Sequence, residues 1–413
     1  MNITWSLIRE LEEKVGGGSF YLLDLARFRQ NFRDLLTSFT ERYPGSSIAY
    51  SYKTNYIPRL CRLVEQMGGY AEVVSLLEYE LAERIGVNPR KIIYNGPCKG
   101  LAGIEKALLA GSVVNLDSLG EVHLVEDVAA RYPDRLFPVG LRCNFPVEPG
   151  LVSRFGFDID GAEFGRALKI IGGMANCRLS GLHCHFPTPH KSPASYARRT
   201  AKMVELYRAH CRGGNAGFLD IGGGFFSRMN DSLAAQFPFP IPGFDDYAQA
   251  IAPQLTNAFP DGGGPELILE PGTALVADTM YFVTKVVDCK EVGTQRVALA
   301  AGSVHNIKPT LHNKNLPLQV IGKNGFGGQT GGRCTDITGY TCLENDYLYR
   351  GYDGAIDAGD YLVFGNVGAY TVVLKPPFIR PSPAIAAYDA GPGSCEVVRR
   401  PESFADVFGT YVI

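Results

Sequence analysis

Lys53 stands at the end of an apolar, β-prone run, "IAYSYK", where Thr54, Asn55 and Pro58 break the pattern behind it. An ammonium is costly to bury, and a core strand gains little from one at its end. Taken alone, such a lysine simply surfaces into solvent. Its chemical use is different: a lysine amine can form a Schiff base with an aldehyde. Glu270 is the second unusual residue, set between the apolar Leu267-Ile268-Leu269 and the pair Pro271-Gly272. A carboxylate there needs a cationic partner or a proton to share. The third feature is "DIGGG", ending in Gly222, Gly223 and Gly224. Such a triplet alone is a tight turn, and it is neither a GxGxxG nor a P-loop. Three small residues nevertheless allow close approach, with N–H groups that can cradle an anion. His183 and His185 in "HCH" face one way on a strand, but the sequence sets no carboxylate or thiolate at a metal-ligating spacing, so no metal is expected.

The surrounding elements explain how residues so far apart could meet. Strand candidates lie at 48–53, 69–74, 91–95, 112–117, 138–144, 179–186, 218–223 and 266–272, with amphipathic helical patterns such as "PRLCRLVEQM" and "SLGEVHLVEDVAARY" between them. Eight strands alternating with helices is the count of a closed (β/α)8 barrel of the TIM type, with an open doubly wound sheet as the competing arrangement. In a barrel, chemistry gathers where strands end. Lys53, Ser75, Asn95, Asp117 with Ser118, Asn144, His185, the glycine triplet and Glu270 mark those ends. After about residue 275 the pattern changes to strand-like pieces with Gly- and Pro-rich turns, among them "AYTVVLKP", which predicts an antiparallel β-domain. The expected division is a barrel over 20–274, with 1–19 and 275–413 forming the β-domain.

Composition bounds the partners. The chain has 413 residues, 46% hydrophobic and 20% charged, with a formal net charge of −2. Nothing there offers nucleic acid or an anionic membrane a basic footprint. No apolar run is long enough to span a bilayer, and "MNITWSLIRELEEKV" lacks the apolar core of an export signal. The ten cysteines are scattered without a CxxC pair and read as reduced thiols of a cytoplasmic protein.

An amine for an aldehyde, a glycine cradle for a phosphate, an imidazole to stack on a flat ring and a carboxylate for a protonated ring nitrogen are the requirements of pyridoxal 5'-phosphate. The motifs "AYSYKTN", "AEVVS", "NLDSLGE", "SRFGF", "GLHCHF", "LDIGGGF", "LEPG", "GYTCLEND" and "GAYT" follow in order over about 320 residues. In these the chain resembles the fold type III pyridoxal-phosphate decarboxylases, which act on ornithine, arginine, diaminopimelate and carboxynorspermidine and share the barrel of alanine racemase. The resemblance implies that Lys53 holds the cofactor, His185 stacks on its ring and Glu270 pairs with its nitrogen. It also implies that Gly222 to Gly224, Gly272 and Tyr370 bind the phosphate, that Thr188 stands where serine is usual, and that Arg154 lies near the cofactor. Cys342 matches the cysteine that crosses from a partner subunit to protonate the product, so a head-to-tail homodimer with two shared sites follows. The expected activity is decarboxylation of an amino acid to its amine. An amino-acid racemase of the same fold is one alternative, against which Glu270 speaks; an inactive binding homologue is the other.

Several positions depart from that family. The usual "EPGR" reads "EPGT", and losing that arginine removes a charge-assisted contact of about 1.5–3 kcal/mol unless Lys99 or Lys308 replaces it. Thr273 stands in its place. "HIGS" has become "HFPT", and Glu72 replaces an aspartate. Leu343 follows Cys342 where an acidic residue is usual, with Glu344 one position later, and Lys308 replaces a substrate-binding arginine. The insert "IGKNGFGGQTGGRCTD" is expected to be a mobile loop near the partner's site. These departures argue against diaminopimelate and ornithine as substrates and point to a specialised biosynthetic pathway.

Overall fold

The computed structural model describes residues 2–151, 153–211, 217–307, 314–323, 325–326, 334–389 and 395–412. They form two compact units, one of residues 32–226 and 242–274, the other of residues 1–31, 227–241 and 275–413.

The first unit is the barrel. Its strands are β1 (Ser46–Ser51), β2 (Tyr70–Val73), β3 (Ile92–Tyr94), β4 (Val113–Leu116), β5 (Phe137–Asn144), β6 (Cys177–His183), β7 (Phe218–Asp220) and β8 (Glu266–Leu269). Each pairs in parallel with its neighbour, β8 pairs with β1, and the sheet is closed. The expected barrel is therefore present and the open sheet is not.

Because side chains alternate across a strand, every second residue points into the barrel. Ala49, Tyr70, Ile93, Phe218 and Ile268 pack as one apolar cluster with Val113 against it. Gly140 and Gly181 leave the room for Phe218, since a Cβ on them would lie 2.8 and 2.5 Å from its ring. Two residues further along each strand the inward positions are Ser51, Glu72, Asn95, Asn115, Arg142, His183, Asp220 and Glu270. All eight are buried. The interior thus changes from hydrocarbon to a ring of hydrogen-bonding groups within one side-chain layer.

Two of the polar strand ends serve the helices instead. Ser75 Oγ accepts from Glu78 N at the start of Leu76–Arg84, and Ser118 Oγ accepts from Glu121 N at the start of Leu119–Arg131. Each glutamate reaches back to a backbone N–H, Glu78 to Val74 at 2.7 Å and Glu121 to Asp117 at 2.9 Å. "SLLE" and "SLGE" are S-x-x-E start signals.

The second unit is built on a ten-stranded, mainly antiparallel sheet. Two pairings in it are parallel: Phe20–Asp24 with Ala384–Tyr388, and Gln295–Ala300 with Thr335–Thr338. Phe20–Asp24 also pairs antiparallel with Met280–Val292, so this strand belongs to the β unit and corrects the expected barrel start at residue 20. Its five residues are all buried, and an unbroken apolar strand looks alike in either sheet. The segment 227–241 likewise leaves the barrel. Thr371–Leu374, expected as a strand, is a short helical turn preceded by Tyr370 at φ 60°. That left-handed residue ends the extended path despite the β-branched sequence that follows. The glycine-rich insert begins and resumes in strands Leu318–Gly322 and Thr335–Thr338, while 324 and 327–333 lie outside the described residues.

Candidate active site

Lys53 sits in a single 3-10 turn, Tyr52–Thr54, immediately after β1. Its Nζ forms an ion pair with Glu72 Oε2 and lies 3.2 Å from Ser51 Oγ. Glu72 also accepts from Ser51 Oγ at 2.5 Å and from Asn95 Nδ2 at 3.1 Å. The longer glutamate is thus held from β1, β2 and β3 together. Asn95 Nδ2 donates to Glu270 Oε1 as well, and Asn115 Nδ2 donates to Asn95 Oδ1 at 2.8 Å. One hydrogen-bonded chain therefore runs from Lys53 through Glu72 and Asn95 to Glu270.

Glu270 follows β8 and is 2% exposed. Its Oε2 lies 3.4 Å from His183 Nε2 and 3.6 Å from His185 Nδ1. Asp220 stands beside it, with Oδ1 accepting from Gly222 N at 2.9 Å. Burial and the Glu270 carboxylate push the Asp220 carboxyl well above its ordinary range. Burial would also raise Glu270, but His183, His185 and Lys53 outweigh it and hold Glu270 low. The pair shares one proton, with Asp220 as the acid and Glu270 as the anion. Burial pushes the His185 imidazole down to about 4, against the pull of Glu270.

Donor atoms of His183, Asp220 and Glu270 all lie within 4.8 Å of one another. The sequence concealed this, because Asp220 and Glu270 reach the histidine only through barrel closure. A proton shared between the carboxylates relieves their repulsion, while both ring nitrogens of His183 are buried without a hydrogen-bond partner.

The glycine turn is tighter than its sequence suggested. Gly222 and Gly224 have φ of 70° and 93°, and a Cβ on Gly223 would lie 2.0 Å from Glu270 O. The N–H of Gly222 is used by Asp220, and that of Gly223 by His185 Nδ1 at 3.1 Å. Thr188 is buried nearby in sequence to His185, its N–H donating to Phe186 O. A Cβ on Gly272 would lie 2.0 Å from Thr54 Oγ1, so Gly272 is bound to the turn carrying Lys53.

Other expected residues fall elsewhere. Arg154 is exposed, with its guanidinium 4.0 Å over the Phe155 ring. Arg142, inside the barrel, is buried instead; it contacts Asp117 at 3.3 Å and donates to His185 O at 3.3 Å. Lys99 cannot replace the missing arginine: its Nζ is enclosed, 2.7 Å from Glu121 Oε2 and 2.5 Å from Gly96 O. Lys308 lies outside the described residues.

Tyr370, Cys342, Leu343 and Glu344 belong to the β unit. Cys342 is exposed on a turn before strand Tyr347–Tyr352, and its ordering residue, Asp346, was missed in the sequence. Asp346 is 3% exposed and accepts from Val304 N at 2.7 Å, Thr341 N at 3.1 Å and Thr341 Oγ1 at 2.6 Å. Asp346→Ala leaves three donors without this acceptor and is expected to cost about 3 kcal/mol. Calorimetry should show a Tm about 5–10 °C lower; an unchanged Tm would contradict this bracing role.

The barrel residues suit pyridoxal phosphate. An amine with a carboxylate to take its proton, a buried anion for a ring nitrogen, a neutral imidazole and a glycine turn that admits no side chain meet its chemical needs.

Known proteins agree. Residues 26–277 match the family model of the pyridoxal-dependent decarboxylases, pyridoxal binding domain. A diaminopimelate decarboxylase of Methanothermobacter thermautotrophicus is 26% identical over 415 residues, covering 95% of this chain and 91% of that protein. One of Aquifex aeolicus is 24% identical over 395 residues, covering 91% and 89%. The crystal structure of diaminopimelate decarboxylase from M. jannaschii shares the fold, with a TM-score of 0.85 at 24% identity over 98% of this chain and 94% of that one. Fold, cofactor and reaction class are as the motifs led us to expect. The chain belongs to the pyridoxal-dependent decarboxylases and is an amino-acid carboxy-lyase that works with pyridoxal phosphate.

Proposed function

We propose that the catalytic centre of this decarboxylase is the polar barrel layer around Lys53 and Glu270, and that it removes the α-carboxylate of an amino acid. The observation that carries this is the buried Glu270 carboxylate, joined to Lys53 by hydrogen bonds through Asn95 and Glu72. Pyridoxal phosphate, when bound, supplies the electron sink that accepts the pair released with carbon dioxide. Lys53 would hold the cofactor through its Nζ amine, the nucleophile that the cofactor's carbonyl requires. Glu72 takes and returns the proton on that nitrogen. Glu270 would pair with the ring nitrogen as an anion, and Asp220 carries the proton that lets Glu270 stay one. His185, neutral in this setting, offers a flat face without a competing charge. Gly222 to Gly224, Thr188, Gly272 and Thr273 would enclose the phosphate.

Cys342 delivers the proton to Cα from a second copy of the chain, making the active form a homodimer with two shared sites. Its exposure on the Asp346-braced turn suits that role. Ten free cysteines suit a cytoplasmic setting. The similar proteins bear the name diaminopimelate decarboxylase. Leu343, exposed beside Cys342, favours a substrate whose far end differs from that of diaminopimelate, met there by Glu344.

The test is carbon dioxide release from a panel of diaminopimelate, lysine, ornithine, arginine and other amino acids. A substrate other than diaminopimelate should be fastest, and Cys342→Ala should slow amine formation by roughly 10²-fold or more. Diaminopimelate as the fastest substrate would overturn the specificity reading. Racemisation without carbon dioxide release would overturn the proposed chemistry.

A further inference from the structure

The loss of arginine at position 273 leaves the phosphate turn without its usual cation, and neither Lys99 nor any charge in the glycine triplet makes it good. A different cation lies under the turn. Helix Pro193–His210 buries Ser195, Tyr196, Arg199, Thr200 and Met203 along one side, at the spacing of a single helix face. Arg199 is wholly buried. Its guanidinium lies 3.7 Å over the Tyr196 ring, and Nη2 donates to Gly223 O at 3.2 Å. Tyr196 Oη donates to the same oxygen at 3.1 Å. Nε and Nη1 are buried without a hydrogen-bond partner, and Arg199 makes no ion pair among the described residues. A buried guanidinium with two idle donors and no counter-charge is expensive. Something anionic in the working enzyme must offset it.

The peptide between Gly223 and Gly224 shows how the charge can act. In a trans peptide the C=O and the N–H point in opposite directions. With Gly223 O fixed on Arg199 and Tyr196, the Gly224 N–H is turned away from the helix. Two donors on the carbonyl, one of them cationic, polarise that peptide and strengthen its N–H as a donor. The neighbouring amides of Gly222 and Gly223 are already occupied by Asp220 and His185.

We propose that Arg199 supplies the fixed positive charge beneath the glycine turn, in place of the arginine this chain lacks at position 273, and acts through the Gly223–Gly224 peptide to hold the cofactor's phosphate. This rests on the proposed cofactor site. Arg199 is then a positioning residue, distinct from one that only shapes the loop by packing on Tyr196.

The experiment titrates cofactor-stripped enzyme with pyridoxal phosphate and with pyridoxal, which lacks the phosphate, reading cofactor absorbance. Arg199→Met should weaken pyridoxal phosphate by about tenfold or more while pyridoxal changes less than about twofold. Arg199→Lys should retain most of the preference, and adding Thr273→Arg to Arg199→Met should restore it. Should Arg199→Met not fold, Arg199→Gln, which keeps a donor for Gly223 O and drops the charge, reads the same ratio. Equal losses for both ligands, or no loss, would overturn the proposal. So would a selective loss in Lys191→Met alone, since that ammonium, 4.6 Å over the Phe226 ring, is a nearby alternative cation. Wild-type enzyme that takes up neither ligand would sink the proposed site as well, an outcome distinct from failure of Arg199.

Discussion

Lys53→Ala is expected to lower the rate of carbon dioxide release by roughly 10³-fold or more, and to remove the visible absorbance of the bound cofactor. The size of the effect follows from the surroundings. Lys99, on the loop after β3, offers no replacement, because it is sealed against Glu121 and Gly96. Ser51 and Glu72, beside Lys53, can handle its proton but cannot substitute for its nitrogen. Folding should be little affected, because Lys53 is about a third exposed and its removal leaves Glu72 with Ser51 and Asn95. A circular dichroism melt beside the absorbance spectrum separates lost chemistry from lost structure. Wild-type turnover in a folded Lys53→Ala enzyme would contradict the assignment.

Glu270→Gln should be the next most damaging change, lowering kcat by roughly 10²–10³-fold while cofactor remains bound. The amide matches the carboxylate in size and still reaches Asn95 and the histidines, but it carries no charge to hold a proton on a ring nitrogen. Its second effect is on Asp220. Without an anionic neighbour that acid loses one of the causes that keep it protonated, so its pKa falls toward ordinary values. A folded Glu270→Gln enzyme with bound cofactor and wild-type kcat would show that the ring nitrogen needs no anion here.

Much of this was legible in the sequence because barrel chemistry is periodic. Each strand shows an apolar or glycine residue followed two positions later by a polar one, as in Ile93 with Asn95 or Ile268 with Glu270. Lys53 and Glu270 stood out because each breaks an apolar run. What the sequence could not show is who meets whom across the closed sheet. Asp220 was read as part of a glycine turn, and its contact with Glu270 exists only because β7 and β8 are neighbours. Arg142 was passed over for Arg154, since a strand arginine and a loop arginine look equally suitable until burial is known. Ser75 and Ser118 looked like site residues because helix caps and active-site hydroxyls both follow strand ends. Phe20–Asp24 was assigned to the barrel because its pairing partners lie some 260 and 360 residues away, beyond any local signal.

The position of the cofactor on the chain tests the account most directly. Borohydride treatment of the cofactor-loaded enzyme fixes the group to the nitrogen that holds it, and peptide mass spectrometry locates the tag. The account predicts a single pyridoxyl group on the peptide containing Lys53, absent from Lys53→Ala. A tag on Lys99, Lys191 or Lys308, with Lys53 unmodified, would contradict it.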